Sequence, residues 1–198
     1  MRLGRALWFF VLALGSAVAS RGTASAQQQL EGQVLGGGAP VARASVALFA
    51  ATSSTPAQLS RTETDPQGRF TINYARPQGD AILYLMATGG EPAAHPGSGN
   101  NPDIALLTVV GAVPPPKVVI NEMTTVASVW THAQFLDGTA IKGHSLGLKI
   151  AAGNVPNFVD LQTGGWGRTI QDPLNSGQTP TMANFARCPT YCPVAPYE

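Results

Sequence analysis

Five consecutive residues, Gly143-His144-Ser145-Leu146-Gly147, match the G-x-S-x-G pattern that carries the nucleophile of many serine hydrolases. In that pattern the serine lies on a strained turn between a buried strand and a helix, and an acid and then a histidine follow it along the chain. Here the preceding segment 137–142 (DGTAIK) lacks a strand of normal length, and all three histidines come before Ser145. We therefore predict that Ser145 caps a helix, that the chain has no catalytic residues, and that it is not an enzyme.

The two cysteines, Cys188 and Cys192, form the second group that could do chemistry. In an oxidising compartment such a pair can form a disulfide. Because the loop between the cysteines is short, the bond constrains the unfolded chain only weakly, and its stabilisation of the fold lies at the low end of about 0–5 kcal/mol. With His132 and His144 the same cysteines could bind zinc, but Cys-x₃-Cys is looser than the usual Cys-x₂-Cys and the histidines lack metal-motif spacing. The sequence favours a local disulfide, with free or intermolecular thiols as the next alternative, and predicts no metal and no cofactor.

Trp166 lies in the glycine-flanked segment 163–168 (TGGWGR) and is a candidate ligand platform. An exposed indole there can stack on a sugar ring, since aromatic faces bind apolar and sugar surfaces alike. The alternative is that this glycine-flanked tryptophan anchors its own loop, and the sequence favours that anchoring role. Trp130 could stack on a sugar ring in the same way, but it is predicted to fill core space on its helix.

Seven short apolar runs must provide the scaffold for these residues, because no helix of normal length fits between them. Their number and their Gly, Pro and Asn punctuation predict an antiparallel β-sandwich or barrel. The runs at 82–87 and 104–110 are apolar on both faces, so each predicted strand needs other parts of the protein packed on both of its sides. The predicted strands are 30–35, 44–50, 59–64, 69–74, 82–88, 104–110 and 117–120.

A turn is predicted at Asp65-Pro66-Gln67-Gly68. Asp accepts backbone N–H bonds at the first position, Pro fixes φ at the second and Gly tolerates the exit geometry of a type I turn. Phe70, Ile72 and Tyr74 then alternate with polar residues, which predicts one buried face on the strand that leaves a hairpin corner. A calcium loop would need several carboxylates at alternate positions, and only one stands here.

After Pro114-Pro115-Pro116 the apolar pattern changes to a helical period. A first helix is predicted to begin with Asn121 as its cap and Glu122 in its first turn. Its predicted inward residues are Met123, Val126, Ala127, Trp130 and Ala133.

Two further helices are predicted in the remainder of the chain. One begins at Ser145, turns Leu146, Ile150 and Ala151 inward and stops at Gly153-Asn154. The other begins at Thr179-Pro180 and ends before Pro189. Met182, Phe185 and Ala186 form its apolar face.

The first 26 residues are typical of a secretory signal peptide. Arg2 and Arg5 precede an apolar run at 6–19, and Ala24-Ser25-Ala26 supplies the small residues for cleavage before Gln27. The run is shorter than the roughly 20 residues that span a bilayer, so an uncleaved anchor is the less favoured alternative. Cleavage leaves about 170 residues, enough for one ordinary domain or a small domain with an appendage.

The net charge of the mature chain argues against nucleic acid as a partner. The mature chain keeps nine Lys and Arg against eleven Asp and Glu, a formal charge of −2. Such a chain has no basic field to gather phosphates, so we do not expect it to bind nucleic acid.

Residues 30–74 resemble a carboxypeptidase-regulatory-like domain. The resemblance rests on Gly32-Gln33-Val34, 38–41 (GAPV), 44–48 (ASVAL) and 64–70 (TDPQGRF) at agreeing spacings. It implies a prealbumin-like (transthyretin-like) seven-stranded β-sandwich in an exported protein, and such domains are usually noncatalytic modules fused to peptidases, adhesins or outer-membrane receptors. Residues 120–127 (INEMTTVA) also look like a helix start that follows such sandwiches in longer bacterial secreted proteins, which would make this chain a short or truncated member.

These expectations combine into one predicted organisation. Residues 1–26 form a signal peptide, 27–120 a seven-stranded antiparallel sandwich, and 121–198 a helical and irregular region packed on it. The predicted function is that of a noncatalytic secreted or cell-surface module, structural or binding, whose ligand is a protein or glycan of the cell envelope. The alternative is an accessory region of an exported hydrolase or peptidase whose catalytic part lies outside this chain.

Overall fold

The computed structural model describes residues 27–97 and 99–167. The predicted signal peptide, the predicted helix at Thr179 and the cysteines Cys188 and Cys192 lie outside the described residues. The described chain is mainly β, with antiparallel sheets and two α-helices. Within it, neither helix has the length and apolar character needed to cross a membrane.

Each of the seven predicted strands forms, and four short strands that were not predicted join them. The elements are β1 (Gln27–Gly36), β2 (Ala39–Ala42), β3 (Ser45–Ala51), β4 (Ala57–Glu63), β5 (Arg69–Ala75), β6 (Ile82–Thr88), β7 (Glu91–Pro92), β8 (Ala105–Gly111), β9 (Lys117–Ile120), α1 (Glu122–Thr131), a 3₁₀ helix (Ala133–Phe135), β10 (Leu136–Asp137), β11 (Ala140–Ile141) and α2 (Ser145–Phe158).

The strands are arranged in three sheets. One sheet has the order β5-β1-β2-β7, with β9 also paired to β1, and the second has the order β4-β3-β6-β8. Strands β10 and β11 make a separate hairpin. The predicted count of seven strands is therefore not what the described residues show, since eleven strands are present. The antiparallel expectation also fails at one place, because β9 runs parallel to β1.

The two larger sheets share one hydrophobic core. The first sheet contributes Leu30 and Ile72, and the second contributes Leu48 and Leu85, all almost completely buried. On β5 the predicted alternation is confirmed, since Phe70, Ile72 and Tyr74 are buried and the residues between them are exposed.

Strands β6 and β8 are buried on both faces, as their apolar runs predicted. Leu85 and Leu106 face the core between the sheets, whereas Tyr84 and Val109 face a second core. The helices and the β10–β11 hairpin complete this second core from the outer side of the four-stranded sheet. Its members from that region include Ala127, Ile141, Leu148, Val155 and Val159.

The turn at Asp65 forms as predicted, but it does not join a hairpin. The Gly68 N–H donates to the Asp65 carbonyl at 2.9 Å, and Asp65 Oδ1 accepts from the backbone N–H groups of Gln67 at 2.9 Å and Arg69 at 2.8 Å. Gly68 has φ +70°, and a Cβ there would lie 2.5 Å from the Val34 carbonyl oxygen. Because β4 and β5 belong to different sheets, the turn is a corner that carries the chain from one sheet to the other.

Helix α1 begins as predicted, with Asn121 and Thr124 forming a reciprocal capping box. Its predicted buried face is confirmed at Ala127 but is wrong at Val126, Trp130 and Ala133, which are exposed. Trp130 is 70% exposed, whereas Ser128 is fully buried. The reason lies in β8, an edge strand whose backbone N–H groups need acceptors. The Val109 N–H donates to Ser128 Oγ at 2.9 Å and the Leu107 N–H donates to Thr125 Oγ1 at 3.0 Å, so α1 turns small hydroxyl residues toward the sheet.

Helix α2 also differs from its prediction in its cap, its face and its end. His144 occupies the N-cap position, and Ser145 is the first helical residue. Of the three residues predicted to face inward, Ala151 is buried, but Leu146 and Ile150 are 61% and 58% exposed. Leu148 and Val155 are buried instead, and because they pack against the sheet the helix continues past Gly153-Asn154 to Phe158.

Candidate functional site

Most of the large, exposed apolar side chains near the end of the described chain gather in one place. Val126 is 66% exposed, Trp130 70%, Phe158 37% and Trp166 41%. With Met123 and Ala127 they line a cleft of about 180 Å³. We call this set the aromatic cleft: Met123, Val126, Ala127, Trp130, Phe158 and Trp166.

Helix α1 supplies one wall of the aromatic cleft. Met123, Val126 and Trp130 follow one another at helical spacings of three and four residues, so they form a single stripe. This stripe lies beside the buried face, because α1 is fixed to β8 through Thr125 and Ser128. The hydroxyl contacts to the sheet therefore determine which apolar residues of α1 remain outside.

The opposite wall comes from the end of α2 and the loop after it. Phe158 is the last residue of α2, and an antiparallel bridge between Val159 and Trp166 returns the chain beside it. The Gly167 N–H donates to the Phe158 carbonyl at 3.0 Å. A Cβ on Gly167 would lie 2.5 Å from the Val159 backbone nitrogen, so this close return requires glycine.

Two hydrogen bonds tie this loop to the start of α1. Asn121 Nδ2 donates to the Gly164 carbonyl at 3.0 Å, and the Val119 N–H donates to the Leu161 carbonyl at 2.8 Å. Gly164 has φ +70°, a conformation that favours glycine. Both walls of the aromatic cleft are thus anchored to the same point, where β9 becomes α1.

The chemistry available in the aromatic cleft is apolar contact. All six lining residues are apolar, so they can bury a side chain or stack on a ring but cannot transfer protons. Trp166 was predicted as a candidate platform, whereas Trp130 was expected in the core and Phe158 was not singled out. Trp166 also borders a second cleft of about 430 Å³, where Asp160 and Gln162 supply polar groups.

The G-x-S-x-G residues have a packing role in this structure. A Cβ on Gly143 would lie 2.5 Å from Phe135 Cδ1, and one on Gly147 would lie 2.7 Å from Phe135 Cζ. Both glycines therefore make room for one aromatic ring. Ser145 between them begins α2 after the two-residue strand β11, and not after a buried strand of normal length.

His132 is fully buried, and its Nδ1 contacts polar atoms of α1. Its Nδ1 lies 3.0 Å from the Ser128 carbonyl oxygen and 2.9 Å from Thr131 Oγ1. Burial lowers the pKa of His132, and the carbonyls of Ser128 and Leu148 offset this only in part. The ring lies beneath α2, and its Nε2 completes no hydrogen bond with a described residue.

His132, His144 and the two cysteines are the residues of the sequence that could form a zinc site. Between residues 27 and 167, omitting 98, no three His, Cys, Asp or Glu side chains come together as a metal site. His144 is exposed at the start of α2, whereas His132 is fully buried. The disulfide between Cys188 and Cys192 stays a prediction, because both residues lie outside the described chain.

Comparisons with known proteins give little further guidance. No protein-family model matches the sequence, and no curated protein matches it either. Among solved structures, a 9R-lipoxygenase from Cyanothece PCC8801 is similar at 16% sequence identity and a TM-score of 0.32. The match covers 48% of this chain and 16% of the lipoxygenase chain, and a likeness of this size carries no argument about fold or activity.

Proposed function

We propose that this chain is a noncatalytic exported module that binds an apolar segment of a partner protein in its aromatic cleft. The observation that carries the proposal is the group of four large apolar side chains held 37–70% exposed on two anchored walls. Contiguous exposed apolar surface marks interaction sites in exported and other water-exposed proteins. Tryptophan in particular is enriched among the residues that dominate binding energy.

Export is supported by the sequence. The basic start, the apolar run and Ala24-Ser25-Ala26 favour secretion to an extracellular, periplasmic or cell-surface location. The resemblance of residues 30–74 to a carboxypeptidase-regulatory-like domain supports a prealbumin-like sandwich as the scaffold. Members of that family are usually noncatalytic, which agrees with a binding role for this chain.

A protein ligand suits the aromatic cleft better than a glycan. A sugar site combines a stacking ring with polar groups that fix the hydroxyls, and all six residues of the cleft are apolar. The volume of about 180 Å³ is also below the roughly 300–1,000 Å³ of small-molecule pockets. A cleft of this size and chemistry accommodates one anchoring side chain of a peptide.

The proposal can be tested with a random peptide library displayed on phage and selected on the immobilised mature chain. Dissociation constants of selected peptides are then compared for the wild type, Trp130→Ala and Trp166→Ala. Truncating a hot-spot residue costs about 2 kcal/mol or more, which corresponds to a roughly 30-fold weaker complex. Leu146→Ala is the matched control, because Leu146 is an exposed apolar residue of α2 outside the aromatic cleft and its loss should leave affinity unchanged.

Two results would count against the proposal. Selected peptides that bind the wild type and both tryptophan variants equally would show that the aromatic cleft is not their site. A glycan array probed with the same proteins gives the second arm. Glycan binding that is lost in Trp166→Ala, without selection of any cleft-dependent peptide, would replace the protein ligand by a sugar.

A further inference from the structure

The described chain ends at the mouth of the aromatic cleft. Trp166 is part of its wall, and the next residue, Gly167, is hydrogen-bonded to Phe158 on the same wall. The residues that follow therefore start beside the cleft. Eleven residues, 168–178, separate this point from Thr179, and they reach at most about 40 Å when extended. That reach is sufficient for the segment after Thr179 to return to the cleft.

The segment 179–187 (TPTMANFAR) has the sequence of an apolar anchor. Met182, Phe185 and Ala186 follow the spacing by which an amphipathic helix presents one face to a groove. Phenylalanine and methionine are also the side chains that make favourable contacts with aromatic rings. The chemistry of this face is complementary to a cleft built from Trp130, Phe158 and Trp166.

We propose that segment 179–187 is the intramolecular ligand of the aromatic cleft. A short connection gives a tethered segment an effective concentration in the millimolar range. Even weak docking then occupies the cleft for much of the time, and a partner protein must displace the segment before it binds. A cleft that is occupied half of the time by the segment binds an external peptide about twofold more weakly than a vacant one.

The chain carries its own reporter for this contact. It has three tryptophans, and Trp8 lies in the predicted signal peptide, so the mature chain keeps only Trp130 and Trp166. Both line the aromatic cleft. Tryptophan fluorescence of the mature full-length chain, with its accessibility to acrylamide, therefore measures whether the cleft is covered.

The test compares Phe185→Asp with the control Asn184→Asp in that chain. Each variant adds one negative charge, but residue 184 lies on the opposite side of the predicted helix from Met182 and Phe185. We expect Phe185→Asp to shift the emission to longer wavelength and to raise acrylamide quenching, whereas Asn184→Asp behaves like the wild type. Identical emission and quenching in all three proteins would overturn the proposal.

A second measurement distinguishes the segment from a second copy of the chain. A tryptophan-quenching label on Cys188, in a Cys192→Ser background, should shorten the tryptophan lifetime, and Phe185→Asp should restore it. The shortening should not change on dilution. Loss of the effect on dilution would assign the cleft to a second copy, and a label that never quenches would also contradict the proposal.

This inference concerns the same cleft as the proposed function, but the two can fail separately. The fluorescence tests require no partner protein, so they judge the segment alone. Cleft-dependent peptides that bind the wild type and Phe185→Asp with equal affinity would support the proposed function and overturn the tethered ligand. Changes in fluorescence without any cleft-dependent peptide would support the tethered ligand and count against the proposed function.

Discussion

Replacing Ser128 by alanine tests whether α1 is held to the sheet by hydroxyl groups. Ser128 is fully buried, and its Oγ accepts the N–H of Val109 at 2.9 Å. Val109 is itself only 1% exposed, so water cannot easily replace the lost acceptor. The variant removes a small side chain but leaves a buried backbone donor without a partner.

The expected cost follows from two opposing effects. A buried polar group that loses its partner costs about 1–3 kcal/mol. Alanine is a better helix former than serine by about 0.5 kcal/mol, which offsets part of this. We therefore expect Ser128→Ala to lower the free energy of unfolding by about 0.5–2.5 kcal/mol, out of about 5–15 kcal/mol for a typical domain.

Urea denaturation measures this change. With a slope of about 2 kcal/mol per molar, the urea midpoint should fall by about 0.3–1.2 M. The control is Leu146→Ala, which removes a much larger apolar side chain that is 61% exposed and should change stability by no more than about 0.5 kcal/mol. Amide exchange at Val109 should also accelerate in Ser128→Ala. The hydroxyl attachment is refuted if Leu146→Ala is the more damaging change and the Val109 amide keeps its protection.

Three further predictions use the same denaturation assay. Gly147→Ala should lower the free energy of unfolding by about 1–3 kcal/mol, because the new Cβ would lie 2.7 Å from Phe135 Cζ. Gly153→Ala should raise it by about 0.5–1 kcal/mol, because no atom lies within 4 Å of the new Cβ. Equal effects of the two changes would contradict the packing role of Gly147. Burial lowers the pKa of His132, so below about pH 6.5 the unfolded state binds a proton more readily than the folded state does. The free energy of unfolding should therefore be independent of this group above about pH 6.5 and should decrease below it. The decrease should be smaller in His132→Gln. Phe70→Ala should cost about 3–5 kcal/mol because Phe70 is 5% exposed, and a loss below about 1 kcal/mol would remove it from the core.

The strands could be located from the sequence because the period of a strand is a local property. Phe70, Ile72 and Tyr74 alternate with polar residues, and the structure buries those three. The runs at β6 and β8 are apolar at successive positions, and each contributes residues to both cores. In each case the side chain's face depends only on its neighbours in the same strand.

Strand pairing could not be read in the same way. The parallel pairing of β9 with β1 joins residues more than 80 positions apart, such as Gly32 and Val118. The turn at Asp65 specifies a reversal of the chain but does not specify whether the next strand stays in the same sheet. Strands β10 and β11 have two residues each, too few to show an alternation.

The predicted buried face of α1 is confirmed at Ala127 but wrong at Trp130, for a physical reason that also concerns the candidate site. Helix α1 carries two stripes, an apolar one with Trp130 and a hydroxyl one with Ser128, and hydrophobicity alone favours burying the first. In the structure the hydroxyl stripe is buried instead, because Thr125 and Ser128 accept hydrogen bonds from backbone N–H groups at the edge of β8 that would otherwise lack acceptors.

The aromatic cleft follows from this reversal. Once Ser128 faces the sheet, Trp130 must lie outside the core, and the loop that returns through Gly167 brings Trp166 and Phe158 opposite it. No local pattern connects these three residues, since they come from a helix, a helix end and a loop. A tryptophan kept exposed at 70% beside a second one at 41% is apolar surface that the described fold does not bury, and this surface is the observation that supports the proposed binding role. The same hydroxyl contacts that fix the fold therefore create the surface on which both the proposed partner and the tethered segment depend.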